Sequence, residues 1–136
     1  MTDDGFEAEW KTIRQRKLEE LRMTADKDWP SQPVNVNDSE FQDFVNKYSK
    51  VIIDCWAPWC GPCRMLGPVI SELAGAYKGK IAFGKLNTDD SQATAMSFGI
   101  QTIPTLLFFK DGKLVGREVG AMPRQALEPK IKSILG

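Results

Sequence analysis

Residues 51–63 read Val51-Ile52-Ile53-Asp54-Cys55-Trp56-Ala57-Pro58-Trp59-Cys60-Gly61-Pro62-Cys63. The first six are apolar except for Asp54, the pattern of a mostly buried strand holding one anomalous carboxylate. Beyond Cys63, the residues Met65, Leu66, Val69, Ile70, Leu73 and Tyr77 recur at helical spacing. The pair Cys60-x-x-Cys63 therefore sits where a strand end becomes a helix start. That position has unpaired N–H groups and a partial positive charge, so a thiolate there is stabilised and its pKa falls. The i, i+3 spacing puts both sulfurs on one side of the helix and lets them close into a disulfide without unwinding it. Gly61 permits close backbone approach, and Pro62 suits a first turn in which its missing N–H costs nothing.

Composition narrows the chemistry. The 136 residues are enough for one domain plus a tail. With 18 basic and 18 acidic residues, no whole-chain electrostatic case for nucleic acid arises. No apolar run approaches the length of a membrane span, so no membrane partner is expected. Met1-Thr2-Asp3-Asp4 has no apolar core of a signal peptide, which points to a cytoplasmic protein. Three cysteines and no histidine fall short of the four ligands of structural zinc, and they also exclude Cys-His catalysis of the protease kind. No metal and no tightly bound cofactor are expected. A lone C-x-x-C amid alternating helices and strands reads as redox-active. A purely structural staple is the weaker alternative, because so short a loop removes little entropy from the unfolded chain.

Outward from this centre, residues 1–33 differ from the rest. Phe6, Trp10, Ile13 and Leu21, with Leu18 at the edge, mark one face of a helix expected over residues 5–24. Trp29-Pro30-Ser31-Gln32-Pro33 reads as a linker. The favoured reading is that this helix packs on its own domain or a twin chain; a partner dock is the alternative, and mixed rather than basic charges argue against a membrane-surface anchor. The chain is expected to be a monomer, with a dimer through this helix as the second possibility.

A domain is expected over residues 34–136. Val34 and Val36 mark a short edge strand, and Asn37 with Glu40 a capping-box-like start to a helix carrying Phe41, Phe44, Val45 and Tyr48. After the strand at 51–56 and the helix from about 60 to 77, residues 81–86 form a strand, 91–98 a helix ended by Gly99, and 105–109 a strand. Asp111-Gly112 is a hairpin turn into a return strand at 113–120, and Pro123 opens the last helix. Pro68 and Pro129 fall inside helices, where kinks, or at Pro129 a restart, are expected. The order β-α-β-α-β-α-β-β-α makes an α/β sandwich: parallel strands joined by crossovers, plus an antiparallel hairpin edge, with helices on both faces.

At Trp56-Ala57-Pro58-Trp59-Cys60-Gly61-Pro62-Cys63 the chain resembles the thioredoxin family. The likeness covers about residues 34–136. Ile103-Pro104-Thr105 is similar to the family's cis-proline segment, and Val119-Gly120-Ala121 to its glycine beside the site. Lys85 falls where the family has its buried lysine. Cys55 departs from the pattern at a position that is often aromatic, and the tail and Pro129 are further departures. The resemblance implies the thioredoxin fold and protein-disulfide reduction, and the Gly-Pro pair between the cysteines resembles the reducing members.

In that scheme Cys60 attacks a target disulfide and Cys63 resolves the mixed disulfide, leaving the pair oxidised. Asp54, in an apolar strand, should have a raised pKa and can take the proton from Cys63 through water, with Lys85 implied as its partner. Trp59, Gly61, Pro62, Thr102, Ile103, Pro104, Gly120 and Ala121 would form a flat apolar surface that pairs with target backbone, and the Ile103–Pro104 bond would be cis. Trp56 is read as packing support. Cys55 points to the other sheet face and reads as a small hydrophobe rather than a redox sensor. Implied partners are disulfide-containing proteins and a thioredoxin reductase, either nicotinamide- or ferredoxin-linked. The alternatives are a redox-independent docking or assembly module and a disulfide oxidase or isomerase; the missing signal peptide weighs against the last.

Overall fold

The computed structural model describes residue 9, residues 11–17 and residues 28–136. The elements follow the expected order: β1 (Val34–Asn35), α1 (Phe41–Lys47), β2 (Lys50–Trp56), α2 (Gly61–Ala76), β3 (Ala82–Asn87), α3 (Gln92–Ser97), β4 (Thr105–Lys110), β5 (Lys113–Val119) and α4 (Arg124–Leu135). They build one five-stranded sheet in the order β1-β3-β2-β4-β5.

β2 lies at its centre because it is apolar on both faces. Val51, Ile52 and Ile53 have no exposed surface at all. Val51, Ile53 and Cys55 face a layer containing Val36, Phe41, Val45 and Tyr48. Ile52 faces the opposite layer, with Leu66, Ile70 and Leu73 from α2 and Leu127, Ile131 and Leu135 from α4. Burying each such side chain contributes about 1.5–3 kcal/mol, so this doubly covered strand dominates the core.

The antiparallel half of the sheet extends further inward than the hairpin edge expected. β1 and β2 both pair parallel with β3, but β4 runs antiparallel beside β2 as well as beside β5. The segment from α3 to β4 is thus not a parallel crossover. In the hairpin, Asp111 (φ 52°) and Gly112 (φ 81°) both take the left-handed conformation that a tight two-residue turn needs.

Helix α2 runs unbroken through Pro68 and α4 through Pro129, so the last helix does not restart. Each proline leaves one carbonyl, of Arg64 and Gln125 respectively, without its usual N–H donor. Packing of Leu127, Ile131 and Leu135 holds α4 together across that gap. Asn37 does act as a cap, but ahead of the helix proper: its Oδ1 accepts from the Glu40 N–H at 3.0 Å.

Trp29, assigned to a linker, belongs to the core. It is 9% exposed, and its ring lies 4.9 Å from that of Tyr48. The prolines around it prevent regular structure but not burial of an indole. The helix expected over residues 5–24 falls largely outside the described residues, as do Phe6, Trp10, Leu18 and Leu21. Glu9 and residues 11–17 are helical and exposed, and Ile13 of the expected stripe is 53% exposed. Among the described residues, no helix is long and apolar enough to cross a membrane.

Gly84 marks the tightest point of the sheet. A Cβ there would lie 2.8 Å from Ile53 Cδ1 and 2.9 Å from Phe44 Cε1. Gly84→Ala is expected to lower unfolding free energy by about 1–3 kcal/mol in a denaturant titration, because both neighbours are themselves packed.

Candidate active site

The sheet delivers β2 directly into the cysteine pair. Cys60 is the N-cap of α2, in extended conformation, and Pro62 lies in the first turn. The Cys63 N–H donates to Cys60 Sγ at 3.2 Å, so one donor of the helix start points at that sulfur. Cys60 and Cys63 close into a disulfide with Cα atoms 5.3 Å apart. Both cysteines are only 4% exposed. The preceding turn is braced: Cys60 N–H donates to the Ala57 carbonyl, and the Arg64 guanidinium donates to the Pro58 carbonyl at 2.9 and 3.3 Å.

Three chain segments converge here. The Ile103–Pro104 peptide bond is cis, and the Ile103 carbonyl oxygen lies 3.8 Å from Cys60 Sγ. The Gly120 N–H donates to the Pro104 carbonyl at 2.8 Å, which fixes the Gly120-Ala121 segment against the cis-proline loop. Gly120 has φ 97°, a conformation that glycine tolerates readily. Ala57, Cys60 and Cys63 form a small buried cluster, with Trp56 and Ile103 packed against it.

The expected docking surface is uneven. Trp59 is 69% exposed, and Gly61, Pro62, Thr102 and Ala121 are also exposed. Ile103 and Gly120 are half-buried. Pro104 is buried, because it leads straight into the fully covered residues of β4. Its ring therefore supports the surface from beneath.

Asp54 is 1% exposed, and neither carboxylate oxygen has a hydrogen-bond partner. Burial pushes its pKa up from 3.8 to about 6, while the charge of Lys85 pulls the other way and only partly compensates. Asp54 and Lys85 are register partners on β2 and β3. Alternation along β2 puts Asp54 on the α2 side of the sheet. Lys85 Nζ sits 4.4 Å above the centre of the Trp56 ring, a cation–π arrangement. A cavity of about 400 Å³ reaches Lys85 and Trp56 between Asn35, Glu40, Asn87 and Ser91.

Two features were missed from the sequence. Trp59 Nε1 donates to Asp89, at 3.0 Å to Oδ2 and 3.3 Å to Oδ1, which steadies the exposed indole. Asp89 lies 30 residues away in a turn after β3, and nothing local marks it. A groove of about 310 Å³ beside the disulfide is lined by Met65, Val69, Ala121, Met122 and Pro123. Met65 gave a signal: it belonged to the helical stripe, yet it is 74% exposed.

Cys55 is fully buried on the opposite sheet face. Burial, and then the charge of Asp54, push its thiol up to about 12. In fully reduced native protein Cys55 should therefore stay unlabelled by iodoacetamide at pH 8 and react only on unfolding, as intact mass will report. Rapid labelling of Cys55 in the native protein, located by peptide mass, would show it to be accessible.

The thioredoxin family model matches residues 32–133. Thioredoxin of Haemophilus influenzae is 46% identical over 98 residues, covering 71% of this chain and 92% of that protein. The chloroplastic M-type thioredoxin of Pisum sativum is 48% identical over 101 residues, covering 74% of this chain and 59% of that longer protein. Among solved structures, a mutant thioredoxin from Halobacterium salinarum superposes with a TM-score of 0.73 at 36% identity, covering 79% of this chain and 95% of that one.

Proposed function

The chain belongs to the thioredoxin family and is a thiol–disulfide oxidoreductase, and from that premise we propose how its residues divide the work of reducing target protein disulfides. Cys60 attacks one sulfur of the target disulfide. The bond formed is a mixed disulfide, and the other target sulfur leaves as a thiolate. Cys63 then attacks the Cys60 sulfur, the target's second sulfur leaves, and the Cys60–Cys63 disulfide remains. Two electrons have passed to the target. The observation that carries this order is the Cys63 N–H aimed at Cys60 Sγ, since a helix-start donor stabilises negative charge on that sulfur.

Asp54 takes the proton of Cys63 as that thiol attacks. Its raised pKa of about 6 leaves it mostly ionised at neutral pH yet basic enough to accept. Lys85 keeps the carboxylate from rising further, and the cavity at Lys85 and Trp56 offers water a way to carry the proton out. Trp59, Gly61, Pro62, Thr102, Ile103, Gly120 and Ala121 receive an extended target segment, with Pro104 as support from below. The catalytic residues lie within 34–136, with Trp29 of the preceding segment packed on that unit's core, and the N-terminal stretch ahead of it is an extension. A cytoplasmic location, targets that are disulfide-containing proteins, and a thioredoxin reductase as electron donor complete the reading.

The equilibrium potential of the Cys60–Cys63 couple against a defined thiol buffer tests the direction. A value near −270 mV, about that of reducing members of the fold, is expected. A value near −120 mV, about that of the oxidising members, would reverse the proposal in favour of disulfide formation.

A further inference from the structure

We propose that the pole of the fold opposite the disulfide is a docking site for the chain's own acidic N-terminal stretch, Asp3 to Glu9, with Phe6 seated on its apolar floor.

That pole gathers the start of β2, the end of β4, the start of β5 and the C-terminal ends of α2 and α4. Lys50 stands directly opposite Lys110, and Lys110 directly opposite Lys113, on three adjacent strands. Like charges facing each other across a sheet are destabilising. Beside them is a cavity of about 370 Å³, in which Lys50, Lys80 and Lys132 surround Tyr77, Ile81 and Leu135. No carboxylate side chain lines it. The ion pairs among the described residues are Arg124–Glu72, Arg124–Glu128 and Lys130–Glu118, and none uses these lysines. Lys50 Nζ donates to the Gly136 carbonyl at 3.0 Å, Lys132 acts on Glu128, and Asp111 stands in the turn between Lys110 and Lys113. Even with about half a negative charge from each helix C-terminus, the five lysines remain in excess. A local rule broken with only partial internal compensation marks a surface that meets something acidic.

The N-terminal stretch has the matching chemistry. Asp3, Asp4, Glu7 and Glu9 flank Phe6, and the first basic residue is Lys11. The chain also enters the domain at this pole. Tyr48 OH donates to the Asp28 carbonyl, and the Ser31 carbonyl lies 3.7 Å from the position of a Cβ on Gly75. Tyr48 is two residues from Lys50, and Gly75 two from Tyr77, so the point of entry adjoins the cavity wall. Between Glu9 and Asp28 the helical residues 11–17 span about 10 Å and the remainder can reach up to about 40 Å, against a domain radius of gyration of about 13 Å. A tether of this length gives an effective concentration in the range of about 1 mM, which no free peptide matches. Docking at this pole leaves the disulfide face open to targets.

Zero-length carbodiimide cross-linking of the full chain, as an equal mixture of ¹⁵N-labelled and unlabelled protein, tests the site. Peptide mass spectra should show links from Asp3, Asp4, Glu7 or Glu9 to Lys50, Lys80 or Lys132, each within a single isotopic chain. The links should be lost at about 0.5 M salt, where exposed charges are screened. They should also be lost in the doubly substituted Lys80→Glu, Lys132→Glu chain, whose disulfide-reducing activity stays at the parent level. Phe6→Ala should shift the methyl resonances of Ile81, Ile131 and Leu135. Links joining labelled to unlabelled chains would replace the proposal with a contact between two copies. Links spread evenly over all lysines, or methyl resonances unmoved by Phe6→Ala, would overturn it.

Discussion

Cys60→Ser is expected to bring catalysed reduction of a model disulfide protein down to the background of small thiols, a fall on the order of 10³-fold or more. The argument is geometric. Cys60 caps α2 and its sulfur accepts the Cys63 N–H, whereas Cys63 lies within the first turn. Negative charge is therefore better held on Cys60 than on Cys63. Cys63→Ser is expected to fail differently. It should still attack, then stop as a stable mixed disulfide with one equivalent of target, visible by mass without reductant and released by dithiothreitol. If Cys63→Ser loses all attack and Cys60→Ser traps the target, the two roles are exchanged. Turnover by either single variant at the parent rate would end the two-step scheme.

Asp54→Asn should separate stability from catalysis. Asp54 is raised from 3.8 to about 6 by burial, a difference worth about 3 kcal/mol at 1.36 kcal/mol per pKa unit. A raised carboxyl pKa means that the folded state holds its proton more tightly than the unfolded state. Below about pH 3.8 both states are protonated and the carboxyl costs nothing extra. Between about 3.8 and 6 the folded state binds more protons, so stability falls as pH rises; above 6 the whole cost is present. Oxidised Asp54→Asn protein should therefore match the parent near pH 3.5 and exceed it by up to about 3 kcal/mol at pH 8, less whatever the buried amide loses by lacking partners. Denaturant melts at the two pH values provide the comparison. Equal differences at both would mean that the carboxylate is not desolvated in the folded state.

The same substitution should slow resolution by roughly one to two orders of magnitude at pH 7, because Cys63 has lost its proton acceptor. The deficit should shrink as pH rises, because hydroxide can then take the proton in place of Asp54. Single-turnover kinetics with a fluorogenic disulfide substrate can follow both trends. An enzyme that gains stability and keeps its full rate at pH 7 would leave Asp54 with no role in the chemistry. The stability gain expected at neutral pH is itself informative, since a core that tolerates a cost of about 3 kcal/mol holds Asp54 for some reason other than folding.

Much of this was legible along the chain because it is written in local patterns. The all-apolar run at residues 51–53 fixes a strand covered on both faces, and periodicity from Met65 to Tyr77 fixes the helix behind the cysteines. Their junction puts Cys60 at a helix start, and burial of Asp54 follows from its neighbours. Asp111-Gly112 likewise sets its own turn. Other features depend on groups far apart in sequence and could not be read locally. Hydrophobic pattern places β4 in the sheet but does not choose its direction. Antiparallel pairing beside β2 is what carries the Ile103 carbonyl to within 3.8 Å of Cys60 Sγ, across 43 residues of chain. The same assembly aims Asp89 at Trp59, buries Pro104 beneath the surface it was expected to form, and draws Trp29 onto Tyr48. The sequence by itself determined which thiols react and where a helix would activate them, because those effects act within one turn of backbone. Tertiary structure alone decided what surrounds them, because packing joins surfaces that no spacing along the chain brings together.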